Sequence, residues 1–319
     1  MTTFIIRRLF QYVVVIILTT FLLFVIMRLL PGDPILLFVS QDEVADMTSD
    51  AEIEALRHKF GLDKPIPRQY IDWLWAVLHG DLGESIFWST TVLTEIERAL
   101  PITLYLGIIA WIFAHAIGIP AGVICALRRG KWIDTVLTVI GNIGITIPIF
   151  WLGILMIFVV GLYLDLLPIQ GWTSPFENFW LSTQKIVMPV ICMSLRPMAG
   201  TIRFVRSAML EVARQDYIRT AWAKGLRESQ VIIRHAVRNG MIPIVTLWGM
   251  SIPRLFSGMV LIETVFNIPG MGRLAVEAIF SKDYAVVQGI TLIICSIVVI
   301  ANLLTDISYA YIDPRVRIT

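Results

Sequence analysis

Long apolar stretches alternate with short charged ones along this chain. Six stretches, at about 9–30, 99–127, 135–164, 186–206, 240–262 and 285–305, approach the roughly 20 predominantly apolar residues that one membrane-spanning helix needs. The fourth contains Arg196 at its centre, with Arg203 and Arg206 towards its end, and the fifth contains Arg254; the others are nearly free of charge. A single apolar run also fits a buried core helix, but six of them in 319 residues do not fit a soluble domain. The first run follows Arg7 and Arg8, lacks a small-residue cleavage site and ends at Pro31 and Gly32, so it reads as a retained span rather than a signal peptide. The pattern predicts an all-α membrane protein with six transmembrane helices.

Between these spans the chain falls into three regions: the N-terminal segment and first span at 1–30, a polar region at 31–98, and a five-helix core at 99–319. Placing the N-terminus inside puts fifteen of the 26 Lys and Arg residues in inside segments and eight outside. Cytoplasmic loops are enriched in Lys and Arg, which supports an orientation with both termini inside and 31–98 outside. Within 31–98, Ser49 and Glu52 are spaced as a capping box, and Ile53, Leu56 and Phe60 recur at helical spacing until Gly61. A second amphipathic run from Tyr70 to Leu78 ends at Gly80, and its aromatic residues suit a membrane interface. This region reads either as a lip or dock at a translocation mouth or as a loop lying on the membrane.

Composition adds exclusions. The chain is 57% hydrophobic and 16% charged, and its net charge of +2 is less informative than its distribution. Cys125, Cys192 and Cys295 all fall in apolar spans, an odd set with no disulfide or metal spacing. The sequence has no G-x-x-x-x-G-K-[ST] phosphate loop. None of His58, His79, His115 and His235 belongs to a metal-ligand pair, and no serine–histidine–acid arrangement is suggested. The chain does not read as an enzyme on its own, and no nucleic-acid partner is expected.

The segment 211–240 is a charged island between apolar spans, with Arg214, Arg219, Lys224, Arg227, Arg234 and Arg238 against Glu211, Asp216 and Glu228. It reads as two short helices. In the first, Tyr217, Ala221, Trp222 and Leu226 share a face, and Gly225 stands where a left-handed residue ends a helix. In the second, Val231, Ile232 and Ala236 lie among Arg234, His235 and Arg238. A basic loop on anionic lipid accounts for the charge. A partner surface accounts for both the charge and the small residues around Gly225.

This island resembles the EAA loop of bacterial ATP-binding-cassette importer permeases, in the dipeptide, oligopeptide and nickel branch. The likeness is carried by Asp216, Tyr217, Arg219, Thr220, Ala221, Ala223, Lys224, Gly225 and Leu226, then by Arg234, His235, Ala236, Arg238, Asn239 and Pro243. Further blocks agree in order: LPGDP at 30–34, GLDKPIPRQY at 61–70, GDLGES at 80–85, and Arg98, Pro101, Thr103 and Leu104. ETVFNIPGMGRL at 263–274, DYAVVQG at 283–289 and DPRVR at 313–317 complete the series. Three residues depart from the pattern: Arg227 replaces a small hydroxyl residue, Trp222 is bulkier than usual, and Ala285 stands where proline is common.

The resemblance implies a type I importer permease with two short helices in its inside loop. It further implies that 216–226 seats in a groove of a cytoplasmic ATPase, that Ala221 and Gly225 permit the close approach, and that Arg219 and Lys224 pair with acids there. The implied partners are a second homologous permease in a heterodimer, two ATPases that bind ATP and Mg, an external solute-binding protein, and the lipid bilayer of a bacterial or archaeal cytoplasmic membrane. No cofactor or metal is expected in this chain. The implied cargo is a di- or oligopeptide, with nickel or a metal chelate, glutathione or an oligosaccharide as alternatives. A secondary transporter or channel is more distant, because acidic residues are missing from the span centres.

Ionisable groups inside a membrane are costly, which makes them functional candidates. Arg196 beside Pro197, and Arg254 beside Pro253, are candidates for the substrate pathway, as is Asn142. The arginines would meet a peptide carboxylate, pair with acids of a partner permease, or snorkel. His115 and Asn142 also fit interhelical hydrogen bonding.

Overall fold

The structure, a computed structural model, describes residues 2–29, 31–32, 35–36, 39, 50–240 and 258–312. The described residues are helical with no strand among them. The elements are α1 (Thr2–Leu29), α2 (Asp50–Lys59), α3 (Ile66–Leu78), α4 (Val92–Leu127) and α5 (Trp132–Thr146). Next come α6 (Ile149–Met156, running on as π-helix over Ile157–Tyr163), α7 (Phe179–Val212) and α8 (Asp216–Ala223). A continuous helical run at 228–240 is α9, a helix at 258–265 is α10, and α11 (Met271–Phe280) and α12 (Tyr284–Ile312) complete the chain.

Among the described residues four helices are long and apolar enough to cross a membrane: α1, α4, α7 and α12. The third expected span, 135–164, is not one straight helix. It is the pair α5 and α6, bent by 103°. The cause is local. Pro148 has no N–H to give, and it forces the residue before it out of the helical region. Ile147 accordingly takes φ −68°, ψ 128°. The expected fifth span, 240–262, lies largely outside the described residues, as do Ser49 of the capping box, Pro253, Arg254 and the DPRVR block. The described spans outrun their apolar cores, because a helix continues to satisfy its backbone where the side chains turn polar.

The chain divides into two compact units, Met1–Thr103 with Pro269–Ile300, and Leu104–Ile268 with Ala301–Thr319. In the first unit, α3 lies on α1. Tyr70 packs edge-on to Phe21 and Phe24 with ring centroids 5.3 and 5.2 Å away. Its hydroxyl lies 3.1 Å from Thr20 Oγ1 and donates to the Ile17 carbonyl at 3.2 Å. Arg28 Nε donates to Gln69 Oε1 at 2.6 Å, and its guanidinium lies over the Phe24 ring. The opposite side of α3 leaves Ile71, Trp75 and Leu78 exposed.

The core of this unit gathers Met27, Leu82, Val92, Ile96, Ala99, Met271, Leu274, Ala278 and Val286. Several blocks recognised in the sequence meet here. Asp283 is buried, and its Oδ2 accepts from the Ser85 hydroxyl at 2.5 Å and from the Phe87 N–H at 3.1 Å. Its other oxygen accepts from Val286 N–H at 3.2 Å, capping α12. Thr103 Oγ1 accepts from Met271 N–H at 2.8 Å at the start of α11. Gly289 lets α12 approach α4, where a Cβ would stand 2.5 Å from a Val92 methyl. Replacing Asp283 by Ala removes a cap and leaves buried donors unpaired, at about 1–3 kcal/mol. D283A is therefore expected to unfold at a clearly lower temperature in detergent, with Ser85→Ala lowering it less.

Candidate functional site

The second unit is organised on α7. Two faces of this helix are covered by neighbours that glycines admit. On α4, a Cβ at Gly118 would lie 2.9 Å from Thr201 Cβ, and one at Gly122 would lie 2.6 Å from Val205 Cβ and 2.9 Å from the Ile202 carbonyl. On α5, Gly141 faces Ala199 and Gly144 faces Leu195. Small residues at such crossings are the usual means of packing helices in lipid, where apolar burial alone gives no preference for helix over acyl chain.

The α5–α7 crossing also holds an ion pair. Arg206 Nε donates to Asp134 Oδ1 at 2.7 Å and Arg206 Nη2 to Oδ2 at 2.8 Å. The same Oδ2 accepts from Gly130 N–H at 3.0 Å, in the turn that precedes α5. Asp134 is only 5% exposed. This fork-on-carboxylate geometry is the strong, directional form of a charged hydrogen bond. Neither residue stands out in the sequence; a lone acid in the first turn of a helix reads as helix-end electrostatics.

α7 turns directly into the island. Val205 and Met209 of α7 form one apolar cluster with Ile218 and Ala221 of α8 and Val231 and Ala236 of α9, and Leu226 packs against it. Ile218 and Ala221 are 4% and 5% exposed, whereas Tyr217 and Trp222 are 42% and 48% exposed. The inward face is thus Ile218–Ala221; of the expected group Tyr217, Ala221, Trp222 and Leu226, Ala221 and Leu226 turn onto the cluster while Tyr217 and Trp222 do not, and the close approach made by Ala221 is to its own chain. Asp216, Arg219, Thr220, Ala223 and Lys224 join Tyr217 and Trp222 on the outer side. Arg219 and Asp216 lie 3.9 Å apart in the open, a pair of little energetic weight.

Gly225 takes φ +71° with open space around its missing Cβ. It makes the left-handed turn between α8 and α9. Arg227, where the sequence lacks the usual hydroxyl, stands at the start of α9 without a side-chain cap. Arg234, Arg238 and Asn239 are exposed, while His235 is half-buried.

The pathway candidates fall as follows. Arg196 is exposed on α7, two turns from exposed Arg203, with Gly200 between them and Ser207 following on the same side. This stripe lies apart from the Leu195–Ala199 contact with α5 and the Thr201–Val205 contact with α4. Arg203 and Ser207 were not singled out in the sequence, although each stands seven residues after Arg196 and Gly200 respectively. Asn142 is exposed on α5 and lines an open groove of about 430 Å³ with Val139, Ile143, Thr146 and Ile147. Arg254 lies outside the described residues. His115 is buried and bonds the Trp111 carbonyl of its own helix at 2.8 Å. Among the described residues no group of His, Cys, Asp and Glu is arranged to hold a metal.

Comparison with known proteins places these features. Residues 118–318 match the family described as binding-protein-dependent transport system inner membrane component, and residues 1–107 match the N-terminal region of such membrane components. The chain is 37% identical over 340 residues to the dipeptide transport system permease protein DppB of Escherichia coli (strain K12), covering 99% of both. It is 38% identical over 320 residues to the oligopeptide transport system permease protein AppB of Bacillus subtilis (strain 168), covering 99% of this chain and 100% of that one. A putative peptide permease protein of Brucella suis biovar 1 is 39% identical, with 94% of each chain covered. These relatives are transport components rather than enzymes. Among solved structures, a chain of the MetNI methionine ABC transporter superposes with a TM-score of 0.54 at 16% identity, covering 69% of this chain and 97% of that one. That likeness establishes a shared type I permease fold.

The two sides of α8 predict opposite outcomes. Ala221→Leu inserts volume against Val205 and Met209 and should destabilise by about 1–3 kcal/mol. Trp222→Ala acts on a half-exposed side chain and should change stability by no more than about 0.5 kcal/mol. Thermal unfolding of the purified variants in detergent distinguishes them.

Proposed function

The chain belongs to the family of binding-protein-dependent transport inner membrane components, and on that premise we propose that it forms half of a translocation pathway for di- and oligopeptides. It is a permease subunit of an ABC importer. Its family works in a membrane with ATPase and binding-protein partners. The finer reading is a heterodimer with a second, homologous permease, two ATPases that bind the ATP and Mg, and a cargo delivered by an external binding protein. The setting is the cytoplasmic membrane of a bacterium, with both termini and the 211–240 island on the inside.

The observation that carries this reading is the two-sided helix α8. Its inner side is anchored on α7 through Ile218 and Ala221, and its outer side presents Asp216, Tyr217, Arg219, Thr220, Trp222 and Lys224. A short helix fixed on one side and open on the other is a seat for a groove in a soluble partner. Residues 216–226 are that seat, with Arg219 and Lys224 reaching acids of the ATPase and Gly225 and Leu226 closing the turn onto the cluster. To drive a two-state path from about 1:99 to 99:1 takes roughly 5.5 kcal/mol of differential binding, so the seat must transmit force rather than merely adhere.

Arg196 and Asn142 mark the pathway side of the subunit, and Arg254 belongs with them on sequence grounds. Arg196 sits midway along α7, where a guanidinium facing lipid would be costly. Its exposed stripe with Arg203 suits the carboxylates that every peptide carries.

The test is reconstitution of the chain with its second permease, ATPases and binding protein in liposomes. ATP-dependent uptake of a radiolabelled dipeptide or oligopeptide is expected. Accumulation of nickel, glutathione or an oligosaccharide with no peptide uptake would overturn the cargo. In the same assay Gly225→Val forces a left-handed residue to carry a β-branched side chain, at about 1–2 kcal/mol. It is expected to reduce uptake about ten-fold at normal membrane abundance. Wild-type uptake by G225V would remove 216–226 from coupling.

A further inference from the structure

We propose that the Asp134–Arg206 pair is the brace that makes α5 follow α7 when the segment 216–226 moves, so that both are positioning residues for transport. The proposal rests on the reading of 216–226 as the ATPase seat.

Arg206 follows Val205, and Val205 belongs to the cluster that holds Ile218 and Ala221. A displacement of α8 therefore bears first on the turn of α7 that carries Arg206. From there the two parallel hydrogen bonds reach Asp134, in the first turn of α5, and through its Oδ2 the Gly130 amide of the preceding turn. The other α5–α7 contacts differ in kind. Gly141 on Ala199 and Gly144 on Leu195 are apolar and permit sliding. A guanidinium fork on a carboxylate fixes direction as well as distance.

At its far end α5 meets the bend at Ile147 and Pro148, and along its length it carries Asn142, Ile143 and Thr146 of the groove wall. A helix held at one end by a charged brace and hinged at the other converts a shift of α7 into a tilt of that wall. Losing one partner leaves the mostly buried Asp134 or its arginine uncompensated, so the pair has no neutral resting alternative.

The experiment uses the full complex reconstituted with its binding protein, with assembled complex quantified for every variant. Asp134→Glu and Arg206→Lys keep the charges but break the fork; Asp134→Asn and Arg206→Gln remove one charge. The readouts are ATP hydrolysis, its stimulation by binding protein, and radiolabelled dipeptide transported per ATP. D134N and R206Q are expected to retain hydrolysis while dipeptide per ATP falls about ten-fold. D134E and R206K are expected to fall less, about three-fold, and the charge-swapped double variant D134R/R206D to recover most of the loss.

Wild-type transport per ATP in assembled D134E and R206K would overturn the proposal. So would hydrolysis and transport falling in equal proportion, the mark of a clasp that only stabilises. If G225V stays fully coupled while the Asp134 and Arg206 variants do not, the reading of 216–226 as the seat fails, and the pair keeps only its part in moving α5 with α7. The stimulation of hydrolysis by binding protein separates both outcomes from a wrong cargo.

Discussion

The architecture of the larger unit depends on how closely two helices approach α7. In lipid, apolar burial gives no preference for helix–helix over helix–acyl contact, so association relies on close van der Waals contact and specific polar bonds. Gly118 and Gly122 on α4, and Gly141 and Gly144 on α5, provide that contact. A methyl at Gly122 would fall 2.9 Å from the Ile202 carbonyl, and backbone cannot move aside as a flexible side chain can. Everything downstream inherits this. α8 follows α7 after a short turn and is held to it by Val205 and Met209, so the placement of the island is set by packing inside the apolar layer.

In the other unit the recognised sequence blocks turn out to be structural partners. GDLGES supplies Ser85 and DYAVVQG supplies Asp283, and the two bond across 198 positions of sequence. Thr103 answers Met271 in the same way across 168. A buried carboxylate is tolerated when donors answer both of its oxygens, as three do here, and removing any one donor changes the cost for the rest. Long-range polar bonds of this kind tie α4, α11 and α12 together more specifically than their apolar faces could.

The long helices, the two-helix form of the island and the left-handed Gly225 were legible in the sequence, because each follows from local periodicity or backbone preference. Other features were not. The bend at Pro148 was present as a residue, yet hydropathy averages over the break and returned one span. The grouping of Tyr217 and Trp222 with Ala221 did not hold, because an eight-residue helix offers too few turns for periodicity to separate Ile218 from Tyr217; only the α7 surface decides. Asp134 and Arg206 lie 72 positions apart, and a single acid and a single arginine near helix ends carry no signal until the fold brings them together. Arg254 and most of the fifth expected span remain a reading of sequence.

α7 thereby treats its arginines in two ways. Arg206 turns toward α5 and is neutralised by Asp134, a fixed pair that gains from low dielectric and loses if its partner withdraws. Arg196 and Arg203 lie exposed among the described residues, apart from the α4 and α5 contacts of Leu195, Ala199, Thr201 and Val205. The first arrangement stores a contact that is costly to break, as a mechanical joint requires. The second leaves charge exposed, free to meet groups that the chain itself does not supply. One helix carries both because helical spacing separates positions 196 and 203 from 195, 199 and 206, so that a neutralised contact and an exposed charged stripe belong to the same rigid body.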